Sequence, residues 1–342
     1  MLVAMAATAQ TPTATLSHES TVKCFYGPNS FVDALAAAVD GDDITLSSGI
    51  FQGYNSTSSS STYSKITKAV NIKGAGMVAD TINNVEKTIV VSGSSNVTYI
   101  QRDNITIDGI YFTGSLTLDS TNIKINKCTV MGSLNYGSTG KKSYIYNCRC
   151  KYIYGSGILN VVNSYVYNAK NSHNLFVINS IIGSTNASVN GELSITNSTF
   201  YNSIIYNSST ESNNINRKLP SSNYVYYCLG KNGDGSIFDN VAGYDDGSGN
   251  YVPNNTNTVI SDLSTIFKTF DGQNYNEYET FELTTTAATT YLGDDGTQVG
   301  MYGGSMPYNP FPSHPIITKC TVAEKSTPQG TLSVDIEVRP AQ

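Results

Sequence analysis

The chain has no tryptophan, only three histidines and few charged residues, which make up 13% of its 342 positions. Its formal net charge at pH 7 is −6, and lysine and arginine are not gathered into a basic stripe. Because nucleic-acid binding depends on positive charges that neutralise phosphates, this composition argues against a nucleic-acid partner. No apolar run approaches the roughly 20 residues that a membrane-spanning helix needs, so we expect no membrane span.

Metal-binding patterns are also scarce. The histidines His18, His173 and His314 are isolated from one another and lack metal-ligand spacing. The glycine-rich stretches 232–236 and 245–247 contain aspartates that suit calcium, but an EF-hand loop starting at 232 would place Gly243 where a glutamate ligand is required. We therefore expect plain turns there and no cofactor, with Ca²⁺ as the weaker alternative.

A short phrase of the form apolar-x-apolar-x-x-small-x-apolar recurs through the middle of the chain. Apolar positions alternate with period two on either side of a bend, which predicts two short strands per copy, each with one buried face. Since one copy cannot bury that face alone, stacked copies predict an all-β fold, a parallel β-helix. The copies are 105–112, 123–130, 143–150 (with polar Ser143 in its first slot), 159–166, 175–182 and 193–200, and their small positions are Ile110, Cys128, Cys148, Ser164, Ser180 and Ser198.

The bend between the two strands of a copy often ends in asparagine, as at Asn147, Asn163, Asn179 and Asn197. Asparagine tolerates the left-handed backbone region, so these positions predict tight turns. The repeat and its asparagines resemble the right-handed, single-stranded parallel β-helix family that includes pectate lyases. The resemblance covers about 27–304 and implies a right-handed solenoid, but it implies little about activity.

The chain divides into three predicted parts. Residues 1–9 are interpreted as the remnant of a secretory signal peptide, because a small-residue triplet precedes Gln10. Residues 24–304 form the β-helix, with a capping helix at 31–39 and irregular final turns. Residues 305–342 form a tail, in which 316–322 and 331–338 alternate and predict a β-hairpin. The closing phrase 296–304 resembles that of family members from Bacteroides-type gut bacteria, and we expect an exported protein, secreted or on the cell surface of a Gram-negative bacterium.

The six cysteines do not suggest a disulfide framework. Cys128, Cys148 and Cys228 fall at the inward small position and Cys150 at an inward apolar one, where free cysteine behaves as a small hydrophobe. Cys24 and Cys320 are not placed by the repeat, and a bridge between them stays open.

Outward positions of the repeat offer candidates for catalysis. A polysaccharide lyase needs a lysine or arginine base beside carboxylates that hold Ca²⁺, and Lys124, Arg149 and Lys151 are the candidate bases. No acidic cluster recurs on adjacent copies, and no outward file of Asp or Glu suits a glycoside hydrolase. We favour solvated surface charges over a catalytic site.

The 24 tyrosines are more suggestive. Strand alternation places one group on the outside, where aromatic faces could stack on sugar rings. The alternative is that tyrosine simply covers exposed strands. The predicted ligand-binding residues are Tyr111, Tyr144, Tyr165, Tyr167 and Tyr201.

These observations predict a non-catalytic secreted or surface protein that presents a rigid face to glycans or host surfaces. Two alternatives stay open. One is a polysaccharide lyase or glycoside hydrolase with a groove along the helix, and the other is a structural adhesin that binds protein. The oligomeric state is not predicted.

Overall fold

The structure is a computed structural model. It describes residues 11–58, 61–82, 85–184, 193–207, 218–231, 237–241, 244–245, 251–252, 254–270, 275–312, 315–322, 330–331 and 334–339. Strands dominate this part of the chain. Neither of its α-helices has the length and apolar character required to cross a membrane.

The elements up to residue 135 are β1 (Thr13–His18), β2 (Thr21–Tyr26), α1 (Ser30–Ala37), β3 (Asp43–Leu46), β4 (Gly49–Gln52), β5 (Ser56–Ser58), β6 (Ser61–Ile66), β7 (Asn71–Lys73), β8 (Thr88–Val91), β9 (Val97–Ile100), β10 (Thr106–Asp108), β11 (Tyr111–Phe112), β12 (Ser115–Leu118), β13 (Ile123–Asn126) and β14 (Thr129–Asn135).

The later elements are β15 (Lys142–Tyr146), β16 (Arg149–Gly155), β17 (Ile158–Val162), β18 (Tyr165–His173), β19 (Leu175–Ile178), β20 (Ile181–Ser184), β21 (Ile195–Thr196), β22 (Thr199–Tyr201), β23 (Ile204–Asn207), β24 (Tyr224–Tyr226), β25 (Leu229–Lys231), β26 (Tyr244–Asp245), β27 (Tyr251–Val252), β28 (Thr258–Ile260), α2 (Thr285–Thr290), β29 (Ile316–Val322) and β30 (Val334–Arg339), with 3₁₀ turns at Asn254–Thr256 and Leu263–Thr265.

Eleven strands form sheet A, in the order β2-β1-β3-β7-β10-β13-β15-β17-β19-β22-β24. From β3 onward the neighbours are parallel, and each strand pairs with the one from the next copy of the repeat. The register stacks one apolar file, Ile107, Ile125, Ile145, Val161, Val177, Phe200 and Val225. These side chains are almost fully buried, as the period-two pattern predicts.

Sheet B has fifteen strands, eleven of them on its main path, and it is bent into two limbs. The first limb contains β4, β8, β11, the starts of β14, β16 and β18, and then β20, β23, β25 and β28. The second limb contains β5, β6, β9, β12, the ends of the same long strands, and β21. The chain visits sheet A, the first limb and the second limb in turn, and their inward side chains share one continuous apolar core.

The N-terminal end is covered as the sequence predicts. Helix α1 buries Phe31, Ala34 and Leu35, which lie three and four positions apart and face the core. The hairpin of β1 and β2 adds to sheet A antiparallel to β3, so α1 and the hairpin lie at the first rung. Near the C-terminus of the chain, β29 and β30 pair antiparallel, as the alternation of 316–322 and 331–338 predicts.

The last copy of the repeat, 193–200, is assigned to the wrong corner by the sequence. Its Ile195 pairs with Ser172 in the second limb, whereas Phe200 pairs with Val177 in sheet A. The small position after Ser180 is therefore Ser203, whose hydroxyl accepts a hydrogen bond from the Ser180 N–H at 3.1 Å. The repeat phrase fits the bend between sheet A and the first limb, and it also fits the bend between the second limb and sheet A. Because asparagine occurs at both corners, the phrase alone cannot distinguish them.

The cysteines of the inner file are buried and free, as predicted. The Cys128 N–H donates to the Cys148 sulfur at 3.5 Å, and the Cys148 N–H donates to the Ser164 hydroxyl at 3.0 Å. Burial raises the pKa of the Cys148 thiol to about 12, so this file is built for packing. Cys24 is exposed and free, and the side chain of Cys320 lies outside the part of the chain that the structure describes.

Candidate binding face and cleft

The outer face of the first limb is covered by a segment that follows β28. We call the described residues 261–270 and 275–312 the C-terminal arm. Its apolar side chains, such as Phe267, Phe281 and Met301, pack on outward residues of the limb, such as Ile181 and Ile204, and form a second buried core. The sequence did not predict this layer, because the arm lacks the repeat.

Tyr165 lies on the outer face of the first limb, as alternation predicts, but it isn't exposed. Its relative exposure is 0%, because its ring centroid lies 4.0 Å from that of Phe281 and 5.8 Å from that of Phe270. Its hydroxyl lies 3.2 Å from that of Tyr206, and burial raises the pKa of the Tyr165 phenol. The prediction that Tyr165 offers an open aromatic surface is therefore wrong.

Arg149 is also covered by the arm. Its Nε donates to the Tyr308 hydroxyl at 2.7 Å, and its Nη1 donates to the Glu277 carbonyl oxygen. The guanidinium lies 5.4 Å from the ring centroid of Tyr308 and 5.7 Å from that of Phe281. The expectation of a solvated outward charge is wrong for Arg149, which joins sheet B to the arm.

Three other predicted residues lie along the seam between the arm and sheet B, and each is half-buried. Lys151 Nζ lies 5.8 Å from the ring centroid of Tyr275, and Tyr167 contacts the same ring edge-on at 5.8 Å. Tyr111 lies under Lys87 Nζ at 3.7 Å, and burial together with Glu277 raises the pKa of its phenol. These side chains contribute part of their surface to the seam.

The asparagines of the bend bind the arm. Asn147, Asn163 and Asn179 have positive φ, which confirms the predicted left-handed turns. Asn163 Nδ2 donates to the carbonyl oxygens of Met301 and Gly303, both at 2.8 Å, and Asn147 Oδ1 accepts from the N–H of residue 309 at 3.0 Å. The arm therefore runs along the corner between sheet A and the first limb.

The arm also follows this corner at two further asparagines. Asn202 Nδ2 donates to Asp294 Oδ1 at 3.0 Å. Gly304, with φ of 79°, passes so close to Asn179 that a Cβ at Gly304 would lie 2.1 Å from its Nδ2. Asn197 has a positive φ as well, but it precedes sheet A and belongs to the other corner.

The outer face of sheet A contrasts with this covered surface. We call its outward positions from β15 to β24 the aromatic face. Phe176 and Tyr224 are each 47% exposed, and the rings of Tyr144 and Tyr146 are nearly parallel with centroids 6.0 Å apart. The face consists of two files in register, Tyr144, Asn160, Phe176, Thr199 and Tyr224, and beside it Tyr146, Val162, Ile178, Tyr201 and Tyr226.

A cleft of about 520 Å³ lies at the β13 end of this face, between sheet A and the arm. Two of its residues, Lys124 and Lys127, are basic, and only Lys124 belongs to the predicted set. Lys127 occupies the bend position with φ of 48°, and burial lowers the pKa of its amine while nearby Asp108 opposes that effect. The lining is Thr106, Lys124, Asn126, Lys127, Tyr146, Asn147, Val162, Asn163, Met306, Pro307 and Asn309.

Carboxylates do not line this cleft among the described residues. Two facing carboxylates, the requirement for glycoside hydrolysis, are thus not brought together there. Nor do the described residues contain a group of three His, Cys, Asp or Glu side chains that could hold a metal ion. His18 pairs with Asp42 at 2.6 Å and His173 contacts Thr196, while His314 and the stretch 232–236 lie outside the described residues.

Of the predicted site residues, the structure brings Lys124, Tyr144 and Tyr201 to one open face. It separates them from Arg149 and Tyr165, which the arm covers. Comparison of the chain with protein-family models, with curated proteins and with solved structures finds no match.

Proposed function

We propose that the chain is a secreted or cell-surface protein that binds a glycan along the aromatic face without transforming it. The observation that carries this proposal is the in-register file containing Tyr144, Phe176 and Tyr224, which is open to solvent on a rigid sheet. Flat aromatic surfaces can stack on the C–H faces of sugar rings, and phenols can bond their hydroxyls. Contiguous exposed apolar surface of this kind is typical of binding sites.

The architecture proposed with this function is a right-handed parallel β-helix of the pectate-lyase-like type. It is supported by the recurring order of sheet A, first limb and second limb, and by parallel pairing between successive copies. Parallel strands joined by crossovers are right-handed in almost all proteins. An experimental structure would test the hand, and a left-handed winding would contradict this proposal.

The second candidate function is a polysaccharide lyase acting at the cleft. It is favoured by Lys127, because an amine whose pKa burial lowers can serve as a base, and by the neighbouring Lys124. Arg149 has no place in this alternative, since its guanidinium is engaged by the arm. Lys151 lies at the seam rather than in the cleft lining.

A panel of immobilised glycans tests these functions together. The purified chain would be incubated with neutral plant and mucin glycans and with uronic-acid polysaccharides, with and without Ca²⁺. We expect binding without release of unsaturated, ultraviolet-absorbing products. Product release would sink the binding-only proposal and favour the lyase. Binding to host protein but to no glycan would favour the structural adhesin instead.

Export is a separate part of the proposal, supported by the composition and the apolar start of the chain. Antibody detection in fractionated cells of the source organism would test it. We expect the chain in the medium or on intact cells, and recovery only from the cytosolic fraction would contradict export.

A further inference from the structure

The charge on the outer face of sheet A is concentrated at one end. Outward positions of β17, β19, β22 and β24 carry no charged side chain. The two rungs below them present Lys124 on β13 and Lys142 on β15, and Lys127 follows at the bend. A ligand lying along the face from β24 would thus meet neutral aromatic surface first, and positive charge only at β15 and at the cleft.

Lys124 is the exposed basic residue that lines the cleft. Lys127 is buried and has Asp108 beside it, and Lys142, which is exposed, lies outside the cleft lining with its Nζ 5.4 Å from the ring centroid of Tyr144. Lys124 is exposed and takes part in none of the ion pairs found in the described residues. Its register partner on the next rung is Tyr144, so its side chain leaves the sheet beside the aromatic file.

The rungs beyond the cleft disfavour a continuing acidic chain. The neighbour of Asn126 on β10 is Asp108, and Asp43 lies two rungs below on the same face, paired with Lys73 at 3.2 Å. A second acidic group in that direction would lie near these carboxylates and would find Lys73 already paired with Asp43. Beyond β15, toward β24, it would find no positive partner at the outward positions. The face therefore suits one acidic group and not a repeating series.

The cleft has room for such a group with its sugar ring. Its volume of about 520 Å³ lies within the range of small-molecule sites. Val162, Met306 and Pro307 supply carbon surface, and Tyr146 supplies a ring and a hydroxyl. One wall comes from the arm, so the cleft is available only where the arm is docked on the asparagine corner.

We propose that the cleft binds the acidic end group of a glycan, a sugar bearing one carboxylate or one sulfate, while the neutral sugars of that glycan lie along the aromatic face. Lys124 pairs with the acidic oxygens. This inference rests on the proposed glycan binding and adds the chemical class of the ligand and its direction.

The test compares three matched oligosaccharides in a calorimetric or fluorescence titration. They share one neutral body and end in a neutral sugar, a carboxylated sugar or a sulfated sugar. We expect either acidic end to tighten binding about tenfold, equal to about 1.4 kcal/mol, for one charge-assisted contact. The two acidic probes show which oxyanion is preferred. This gain should shrink at high salt, whereas binding of the neutral probe should not.

Variants of Lys124 separate this inference from the proposed function. Lys124→Met keeps the aliphatic stem and should remove the gain for acidic ends, so that acidic-ended and neutral probes bind alike. Lys124→Arg should retain the gain. Lys23→Met on β2 removes one exposed charge elsewhere and is the matched control, with no expected change. Because Lys124 is exposed, its variants should keep the thermal unfolding midpoint of the original chain.

Other results of these titrations would overturn either the acidic end group alone or glycan binding as well. Equal binding of neutral and acidic probes would overturn the acidic end group and leave glycan binding standing. No binding of any probe would overturn both. Tighter binding of an internal polyuronate chain than of the acidic-ended probe would overturn the single end group. Equal binding of a glutamate-rich peptide would assign the cleft to acidic proteins instead.

Discussion

The outer faces of sheet A and of the first limb of sheet B are both formed by the outward residues of a period-two alternation. One face is covered by protein, whereas the other is open to solvent. On the first limb, outward Tyr165, Ile181 and Ile204 are buried under the C-terminal arm. On sheet A, outward Phe176 and Tyr224 stay exposed. Apolar residues on the outside of a stack therefore indicate a second layer. The chain supplies that layer for one face, and we propose that a ligand supplies it for the other.

The largest expected difference between the faces is in stability. Phe281→Ala removes a buried arm ring that contacts Tyr165, and we expect the free energy of unfolding to fall by about 3–5 kcal/mol. Phe176→Ala, the matched change on the open face, should alter it by no more than about 0.5 kcal/mol. Urea denaturation measures both. Similar losses for the two variants would show that Phe176 is also covered.

Arg149→Met should have the next largest effect. The change removes two hydrogen bonds to the arm and a contact with two rings, so we expect a loss of about 2–3 kcal/mol. Limited proteolysis should cut the arm of this variant faster. Lys151→Met, at the seam, is the control and should stay within about 1 kcal/mol of the original chain. A stable Arg149→Met arm would contradict the role given to the guanidinium.

Asn163 forms a left-handed turn and also donates hydrogen bonds to the arm, and two variants can separate these contributions to stability. Asn163→Gly keeps the left-handed turn and loses the two bonds to Met301 and Gly303, whereas Asn163→Ala loses the bonds and strains the turn. We expect losses of about 1–2 kcal/mol for glycine and about 1 kcal/mol more for alanine. Equal stability of the original and glycine chains would show that these bonds do not hold the arm.

The smallest expected effect is a pH dependence at the N-terminal cap, away from both faces. The hydrogen bond and charge of Asp42 raise the pKa of His18 above 6.5. The stabilising contribution of the imidazolium is therefore full below pH 6.5 and is lost as pH rises through the folded-state pKa. NMR titration of His18 checks the shift. His18→Gln should flatten this part of the stability profile, and an unshifted His18 would contradict the pair.

The fold could be predicted from sequence because its pattern is local. Period-two alternation around Ile125 and Val161 predicts strands, and asparagine before the small position predicts the left-handed turns at Asn147 and Asn163. The covered face could not be predicted this way. Alternation correctly places Tyr165 outward, but its burial depends on Phe281, which lies far along the chain in a segment without the repeat.

The cleft could not be predicted from the repeat either, because one of its walls comes from the arm. Lys124 is recognisable as an outward lysine, but Met306 and Pro307 reach it from the arm. Lys127 stands at the bend position where other copies have asparagine, but that departure alone does not predict that it lines a cleft. Tyr146 lies two residues after the predicted Tyr144 on the same strand, so alternation places it on the same face.

The central claim is that the aromatic face binds a glycan. The most direct test is to titrate two variants with a glycan that binds the original chain in the panel. Phe176→Ala combined with Tyr224→Ala removes exposed rings from the aromatic face, and Tyr154→Ala removes a ring that is 40% exposed on the second limb of sheet B. We predict that the double variant binds at least about tenfold more weakly while Tyr154→Ala binds like the original chain. Equal weakening by both, or unchanged binding by the double variant, would contradict the assignment of the aromatic face.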